Sequence, residues 1–178
     1  MGSGDRVLLH VCCGICSLSV IERLREEGYR VTLFFYNPNI HPREEYEKRK
    51  EVFLEVSKIT HTPFLLGEYE DDKWREAIRG WEEEPEGGKR CEICIYLRLR
   101  KTFEIAEKNG FSLFTTTLTV SPHKNASLIN RLGKSISEEK FLVRDFKKRD
   151  GFKRTIELAK KFSLYRQDYC GCVFSKRK

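Results

Sequence analysis

The chain has 178 residues, of which 39% are hydrophobic, 12% aromatic and 34% charged. This length suffices for one sizeable core, and the apolar content excludes a disordered chain. No apolar run approaches the roughly 20 residues that cross a bilayer, and residues 1–5 lack the apolar core of a secretory signal. We therefore expect a cytoplasmic protein that contacts no membrane, folded as one domain over residues 1–178. Residues 1–4 are expected to be disordered or derived from cloning.

Positive charge is concentrated towards the C-terminus. The formal net charge is +7, and residues 144–178 contain twelve Lys or Arg against four Asp or Glu. Cations that neutralise phosphates release counterions, so such a segment favours a polyanionic partner. A solvated helix face with a basic tail is the alternative. The candidate phosphate contacts are Lys147, Lys148, Arg149, Lys153, Arg154 and Lys176 to Lys178.

The predicted elements alternate between strand and helix. Short apolar or β-branched runs bounded by turns give strands at residues 6–11, 31–36, 64–67, 112–118 and 141–143. Helical spacing of apolar residues gives a helix from Ser17 or Ser19 to Gly28, and further helices over residues 42–59, 71–81, 91–110, 125–132 and 152–162. This alternation predicts an α/β fold, with a single doubly wound, mainly parallel sheet and helices on both faces.

All seven cysteines lie in three tight groups. The groups are Cys12, Cys13 and Cys16 after the first strand, Cys91 and Cys94 at the start of a helix, and Cys170 and Cys172 in a C-terminal segment over residues 164–178. An odd number of cysteines at short spacings argues against structural disulfides. Ligands of parallel sheets bind beyond the carboxyl ends of the strands. We expect the three groups to meet there in a metal or redox centre.

Iron–sulfur and zinc centres both fit these ligands. Cys91 and Cys94 lie one helical turn apart, so their thiols point the same way, and the helix N-terminus favours their thiolates. A bare CxxC is commoner at zinc, but six or seven cysteines exceed one tetrahedral site. The vicinal Cys12 and Cys13 suit a large centre better than a single small ion. Cys16 is interpreted either as a spare ligand or as a small buried residue.

Six motifs follow one another along the chain. They are Leu9 to Cys13, Phe35 to Pro42 with Glu45 and Tyr46, Arg90 with Cys91 and Cys94, Thr115 to Leu118 with Ser121 to Lys124, Asp145 to Gly151, and Leu164 to Cys172. In this order they resemble the cobalamin-independent epoxyqueuosine reductase family over nearly the whole chain. That family usually has Cys-Cys-Ala-Pro-Cys, whereas Gly14 and Ile15 stand here, which keeps the thiols but changes the stiffness of the turn.

The resemblance implies a fold similar to the adenine-nucleotide α-hydrolases and an oxidoreductase of queuosine biosynthesis that uses an iron–sulfur centre and no cobalamin. Its substrate would be transfer RNA carrying epoxyqueuosine in the anticodon loop, whose epoxide oxygen is removed with two protons and two electrons from an external donor. The implied ligands of a [4Fe–4S] cluster are Cys12, Cys13, Cys91 and Cys94. Cys170 and Cys172 would be a redox-active pair or ligands of an additional iron ion.

The motifs indicate the proton donor less clearly than they indicate the cysteine ligands. Asp145, Asp150, Tyr169 and His123 are candidate acids by their motifs, and Asp145 and Tyr169 join Cys170 and Cys172 as the predicted catalytic residues. Asp145 is also a candidate fourth ligand of a three-cysteine cluster. The simpler interpretation of His123 is a residue that orders its loop, and Tyr169 is more simply a packing residue. Likewise, Tyr165 and Tyr169 could stack on an RNA base but are more simply core residues, and His10 is more simply a core histidine.

Two further classes of protein remain as alternatives. An iron–sulfur sulfur transferase acting on transfer RNA would use the same CxxC. It should carry a serine- and glycine-rich pyrophosphate loop after the first strand, where this chain has Cys12, Cys13 and Gly14. A non-catalytic zinc-binding module would be colourless and would retain zinc after aerobic purification. Analysis of bound iron and sulfide distinguishes these alternatives.

Overall fold

A computed structural model describes residues 4–175, and four parallel strands form one sheet within them. The strands are β1 (Arg6–His10), β2 (Arg30–Phe35), β3 (Phe64–Leu66) and β4 (Leu113–Thr116), in the order β3-β2-β1-β4. In the centre of the sheet, Leu9 pairs with Leu33 on β2 and with Thr115 on β4. The strand order therefore reverses at β1, which has β2 on one side and β4 on the other.

Six α-helices connect or follow these strands in the described part of the chain. They are α1 (Gly14–Glu26), α2 (Arg43–Thr60), α3 (Asp71–Ala77), α4 (Lys89–Lys108), α5 (Ala126–Ile136) and α6 (Gly151–Lys161), and a short 3-10 turn covers Leu118–Val120. Several ends have a local chemical cause. Pro42 precedes the first turn of α2, and the Asn125 side chain accepts the Leu128 N–H at the start of α5.

Helices cover both faces of the sheet. Alternate residues of β1 point to opposite faces, so Val7 and Leu9 pack in one core while Leu8 packs in the other. The first core contains buried residues of α1, α2 and α6, and the second contains residues of α4 and α5. Burying each large apolar side chain stabilises the fold by roughly 1.5–3 kcal/mol. The predicted doubly wound parallel sheet is confirmed.

Four predicted elements differ from the structure, and one of them is the helix predicted over residues 125–132, which ends at Ile136. The first helix begins at Gly14, not at Ser17 or Ser19, and the Ser17 hydroxyl donates to the Gly14 carbonyl oxygen within its first turn. Glycine allows the helix to begin here against α2, because the Cβ of any other residue at position 14 would lie 2.9 Å from the Val52 carbonyl carbon. The helix predicted to end at Trp81 stops at Ala77. The strand predicted at residues 141–143 is reduced to one bridge between Phe114 and Phe141.

The structure also bears on the broader expectations. Among residues 4–175, no helix has the length and apolar character needed to cross a membrane. The Gly4 N–H donates to the Gly28 carbonyl oxygen at 2.8 Å, and the expectation for residues 1–4 stays a prediction. The expectations for residues 1–3 and 176–178 lie outside the described residues. A single domain over residues 1–178 stays a prediction, supported by the four strands that share one sheet.

Candidate metal and redox centre

The vicinal cysteines lie where the strand order reverses. Cys12 follows the end of β1, and Thr117 follows the end of the neighbouring β4. The Thr117 hydroxyl oxygen accepts the Cys12 N–H at 3.2 Å and lies 3.2 Å from the Cys12 Sγ. Parallel sheets bind their ligands at this position, beside the carboxyl ends of the two strands. The predicted location of the first thiol group is therefore confirmed.

Cys16 joins the two vicinal cysteines in one sulfur triad. The Sγ atoms of Cys12, Cys13 and Cys16 all lie within 4.8 Å of one another, and those of Cys13 and Cys16 are 2.6 Å apart. The early start of α1 is responsible, because Cys13 caps the helix and Cys16 follows in its first turn. The sequence left Cys16 as a spare ligand or a buried residue, and the signal for the triad was its spacing of three from Cys13.

The triad concentrates negative charge on one sulfur. Hydrogen bonds from the thiols of Cys13 and Cys16 hold the pKa of Cys12 well below its usual value, although burial opposes this, and the Thr117 hydroxyl adds to the effect. The hydrogen bond to Cys12 and burial raise the pKa of Cys13 to about 12 and that of Cys16 well above the usual value. One thiolate and two protonated thiols can thus present three sulfur ligands to a metal that displaces the two protons.

The other four cysteines line a small cavity, which we call the second cavity because it is separate from the triad. Cys91 and Cys94 lie on the first turns of α4 and line this cavity together with Cys170 and Cys172 of the C-terminal segment. Cys94 and Cys172 are buried and pack with Trp74. Burial raises the pKa of the Cys172 thiol. The predicted meeting of all three groups is confirmed only in part, because the mid-chain and C-terminal pairs share this cavity but its lining does not include Cys12, Cys13 or Cys16.

The lining of this cavity contains buried polar atoms that lack a hydrogen-bond partner among the described residues. They are the Asn39 Oδ1, the Trp74 Nε1 and the Arg90 Nε, and all three residues line the cavity with the four thiols. Leaving such a group unpaired costs about 1–3 kcal/mol, so a bound group that paired with them would stabilise this lining. N–H donors stabilise anionic sulfur, and sulfur-rich donor sets suit iron–sulfur clusters and zinc. The residues present therefore fit a metal–sulfur centre.

The C-terminal thiol segment is held by Arg49 of α2 and by His41, which precedes that helix. Arg49, which is buried, donates from Nη1 to the Cys170 carbonyl at 3.0 Å and from Nη2 to the Tyr169 carbonyl at 2.8 Å. The His41 N–H donates to the Gly171 carbonyl at 2.8 Å. Sequence reasoning missed Arg49, for which the spacing of four from Glu45 was the available signal.

Two of the predicted acids, Asp145 and Tyr169, are engaged with protein groups through their side chains. Asp145 accepts the Lys147 N–H at 3.1 Å and pairs with the Lys147 ammonium at 3.3 Å. The Tyr169 hydroxyl donates to the His41 carbonyl, and burial raises the pKa of Tyr169. His123 is exposed and donates its backbone N–H to the Ser121 hydroxyl, as expected of a residue that orders its loop.

Two other polar residues of the motifs serve the fold. His10 is fully buried: its Nδ1 accepts from the Thr116 hydroxyl at 2.9 Å and its Nε2 donates to the Tyr36 carbonyl at 3.0 Å. Burial, and then repulsion by Arg98, lower the pKa of His10 to about 4, so its interpretation as a core histidine is confirmed. The Tyr165 hydroxyl donates to Glu45 at 2.7 Å, which ties the C-terminal segment to α2.

Fold and site together define a class of protein: a doubly wound α/β sheet with thiol groups in place of a glycine-rich phosphate loop. The fold resembles the U34-tRNA thiolase NcsA from Methanococcus maripaludis, solved with its [4Fe–4S] cluster, with a TM-score of 0.60. The likeness covers 98% of this chain and 62% of that one at 12% identity, so it concerns the fold alone.

The family follows from the sequence matches. Residues 7–178 match the family model described as epoxyqueuosine reductase QueH. The chain is 40% identical to the epoxyqueuosine reductase QueH of Streptococcus pyogenes serotype M1, covering 96% of this chain and 70% of that protein. It is 41% identical to that of Thermotoga maritima, with coverage of 95% and 89%. The chain belongs to the epoxyqueuosine reductase QueH family, which confirms the family and the oxidoreductase class expected from the motifs.

Proposed function

We propose that this chain reduces epoxyqueuosine in transfer RNA to queuosine at an iron–sulfur centre held by its cysteines. The observation that carries the proposal is the sulfur triad at the reversal point of the sheet, in a chain that the epoxyqueuosine reductase QueH family matches over residues 7–178. In the proposed reaction the two C–O bonds of the epoxide break, a C=C bond forms, and the oxygen leaves as water. Two electrons and two protons balance the change.

We propose that Cys12, Cys13, Cys91 and Cys94 are the ligands of a [4Fe–4S] cluster. Cys170 and Cys172 are proposed as a redox-active pair or as ligands of an additional iron ion, and no cobalamin is involved. The position of Cys16 beside two of these ligands supports Cys16 as an alternative ligand of the same cluster. When bound, an iron–sulfur cluster supplies electrons, and an open iron can act as a Lewis acid towards the epoxide oxygen.

The chain's own residues would supply protons and orient the thiols. Asp145 and Tyr169 remain the proposed catalytic residues. Asp145 is about a quarter exposed and has Lys147 as its ion-pair partner, so a proton can reach it from solvent. Tyr169 is held by its hydrogen bond to the His41 carbonyl beside the Cys170 to Cys172 turn, where it would orient that turn.

The proposed partner is transfer RNA, with an external electron donor and a cytoplasmic location. A base in an anticodon loop is unpaired, so it can enter a pocket without melting a duplex. Lys148, Arg149 and Lys153 are exposed and are the better candidates for phosphate contacts. Arg154 pairs with Glu22 at 2.9 Å, so its charge is already partly neutralised and it is a poorer candidate for a phosphate contact.

The test is a turnover assay on the whole chain. The anaerobically purified protein is incubated with a chemical reductant and transfer RNA carrying epoxyqueuosine, and the nucleosides are analysed by mass spectrometry. We expect a product that has lost one oxygen atom, and no product with Cys12→Ala. A sulfur-containing nucleoside would instead identify a sulfur transferase, and unchanged substrate with a zinc-loaded protein would favour a binding module.

A further inference from the structure

Arg98 is a buried cation without a carboxylate partner in the described part of the chain. It lies on α4, one turn after Cys94, and only 4% of it is exposed. Its hydrogen bonds run from Nε to the Cys94 carbonyl and from Nη1 to the Asn37 Oδ1, both at 3.4 Å. A buried charge is costly unless an opposite charge lies near it. Something other than an acidic side chain must therefore balance this guanidinium.

The available counter-charges are sulfur atoms of the triad and of the four cysteines around the second cavity. Arg98 lines the second cavity beside its four cysteines. Burial opposes the charge of Arg98, but the thiols, led by Cys94 and Cys12, outweigh it and hold the pKa of Arg98 above its usual value. The cation thus lies within electrostatic reach of the triad at the end of β1 as well as of the pairs around the second cavity.

Asn37 connects this cation to the segment between β1 and α1, where the triad begins. Its Nδ2 donates to the Val11 carbonyl at 2.8 Å, directly before Cys12, and its Oδ1 accepts from Arg98. Asn37 is 1% exposed, so this arrangement is shielded from water. The guanidinium is therefore fixed between the end of β1 and the first turns of α4, where the two thiol groups begin.

We propose that Arg98 is the positioning residue whose fixed positive charge sets the reduction potential of the thiol-bound centre. The inference rests on the proposed iron–sulfur centre. A cluster with thiolate ligands is anionic and gains one more negative charge when it takes up an electron, so a nearby buried cation favours the reduced state. Removing that cation should make the centre harder to reduce.

Three variants separate charge from shape. Arg98→Met removes the charge while keeping a long side chain, and Arg98→Lys keeps the charge. Arg100→Met is the matched control, because Arg100 lies on the same helix, is about half exposed and pairs with Glu104 at 3.3 Å. Each full-length protein is loaded anaerobically with iron and sulfide. Its midpoint potential is measured by spectroelectrochemical titration, with iron and sulfide content determined on the same sample.

We expect a more negative midpoint potential for Arg98→Met, a potential near that of the unmodified chain for Arg98→Lys, and no shift for Arg100→Met. Loss of iron from Arg98→Met alone would overturn this role by showing that the charge retains the metal rather than setting its potential. An unshifted potential in an iron-loaded Arg98→Met would overturn the role of Arg98 while leaving the iron–sulfur centre intact. Loss of iron from both Arg98 variants would also overturn the role of charge, because it would show that the centre needs the shape of the guanidinium. Absence of iron from the unmodified chain would contradict the proposed function itself.

Discussion

The Nη1 of Arg49 donates to the carbonyl oxygen of Cys170 at 3.0 Å, and this contact joins α2 to the C-terminal thiol turn. Its Nε donates to Glu45 at 2.9 Å, so the guanidinium is fixed at both ends. The C-terminal turn has no helix or strand of its own. Its thiols are therefore positioned by side chains of α2 rather than by regular backbone structure.

Replacing Arg49 should destabilise the protein and release the C-terminal thiols. Arg49→Met leaves Glu45 without its buried partner, which we expect to lower the free energy of unfolding by about 3–5 kcal/mol. Cys170 should also react faster with iodoacetamide. Urea unfolding and site-resolved mass spectrometry measure the two effects. The control is Arg43→Met, an exposed partner of Glu47 on the same helix, expected to cost less than about 1 kcal/mol. Equal effects of the two substitutions would contradict the role of Arg49.

Gly171 is predicted to be required between the two C-terminal cysteines. Its φ is +109°, and a Cβ there would lie 2.8 Å from the Ile40 Cγ1 and 3.0 Å from the Arg49 Nη1. Gly171→Ala should therefore displace the turn, with a backbone strain of about 1–3 kcal/mol and a loss of bound metal. Gly80→Ala is the control, because Gly80 also has a positive φ but open space around it. Metal content that falls in neither variant, or equally in both, would argue against this close packing.

Cys16 is predicted to contribute as much to metal binding as Cys12. Their sulfur atoms share the triad, so Cys16→Ala should weaken iron binding by more than the roughly 10–100-fold that loss of a residue outside the ligand shell costs. Ser19→Ala on the same helix removes a buried hydrogen bond to Thr155 without touching the triad, and should leave iron content unchanged. Competition with an iron chelator gives the relative affinities. Full iron retention by Cys16→Ala would show Cys16 to be a packing residue.

His10 should make stability fall in mild acid. Its pKa lies at about 4 in the folded chain, below the ordinary value of 6.5, so protons bind preferentially to the unfolded chain between these values. The stabilisation is complete above pH 6.5 and is lost as the pH falls towards 4, by about 2 kcal/mol between pH 7 and pH 5. NMR titration of the ring protons should place the His10 midpoint near 4. A midpoint near 6.5 would refute this account.

The sheet could be predicted because its signals are local. Short apolar runs that alternate with segments of helical spacing predicted all four strands of the sheet. The cysteine pairs, which are close in sequence, indicated the candidate site. The start of α1 could not be predicted in this way, because it depends on contact with a distant segment. There α2 packs so closely on Gly14 that no Cβ would fit. The roles of Arg49 and Arg98 depend on contacts with distant segments, which periodicity does not reveal.

The central claim is that the cysteines of this chain hold iron and sulfide. The most direct measurement is quantitative iron, sulfide and zinc analysis of the anaerobically purified full chain, combined with EPR spectroscopy of the reduced protein. We predict iron and acid-labile sulfide in comparable amounts, a cluster signal on reduction, and loss of both from Cys12→Ala. One equivalent of zinc with neither iron nor sulfide would contradict the account.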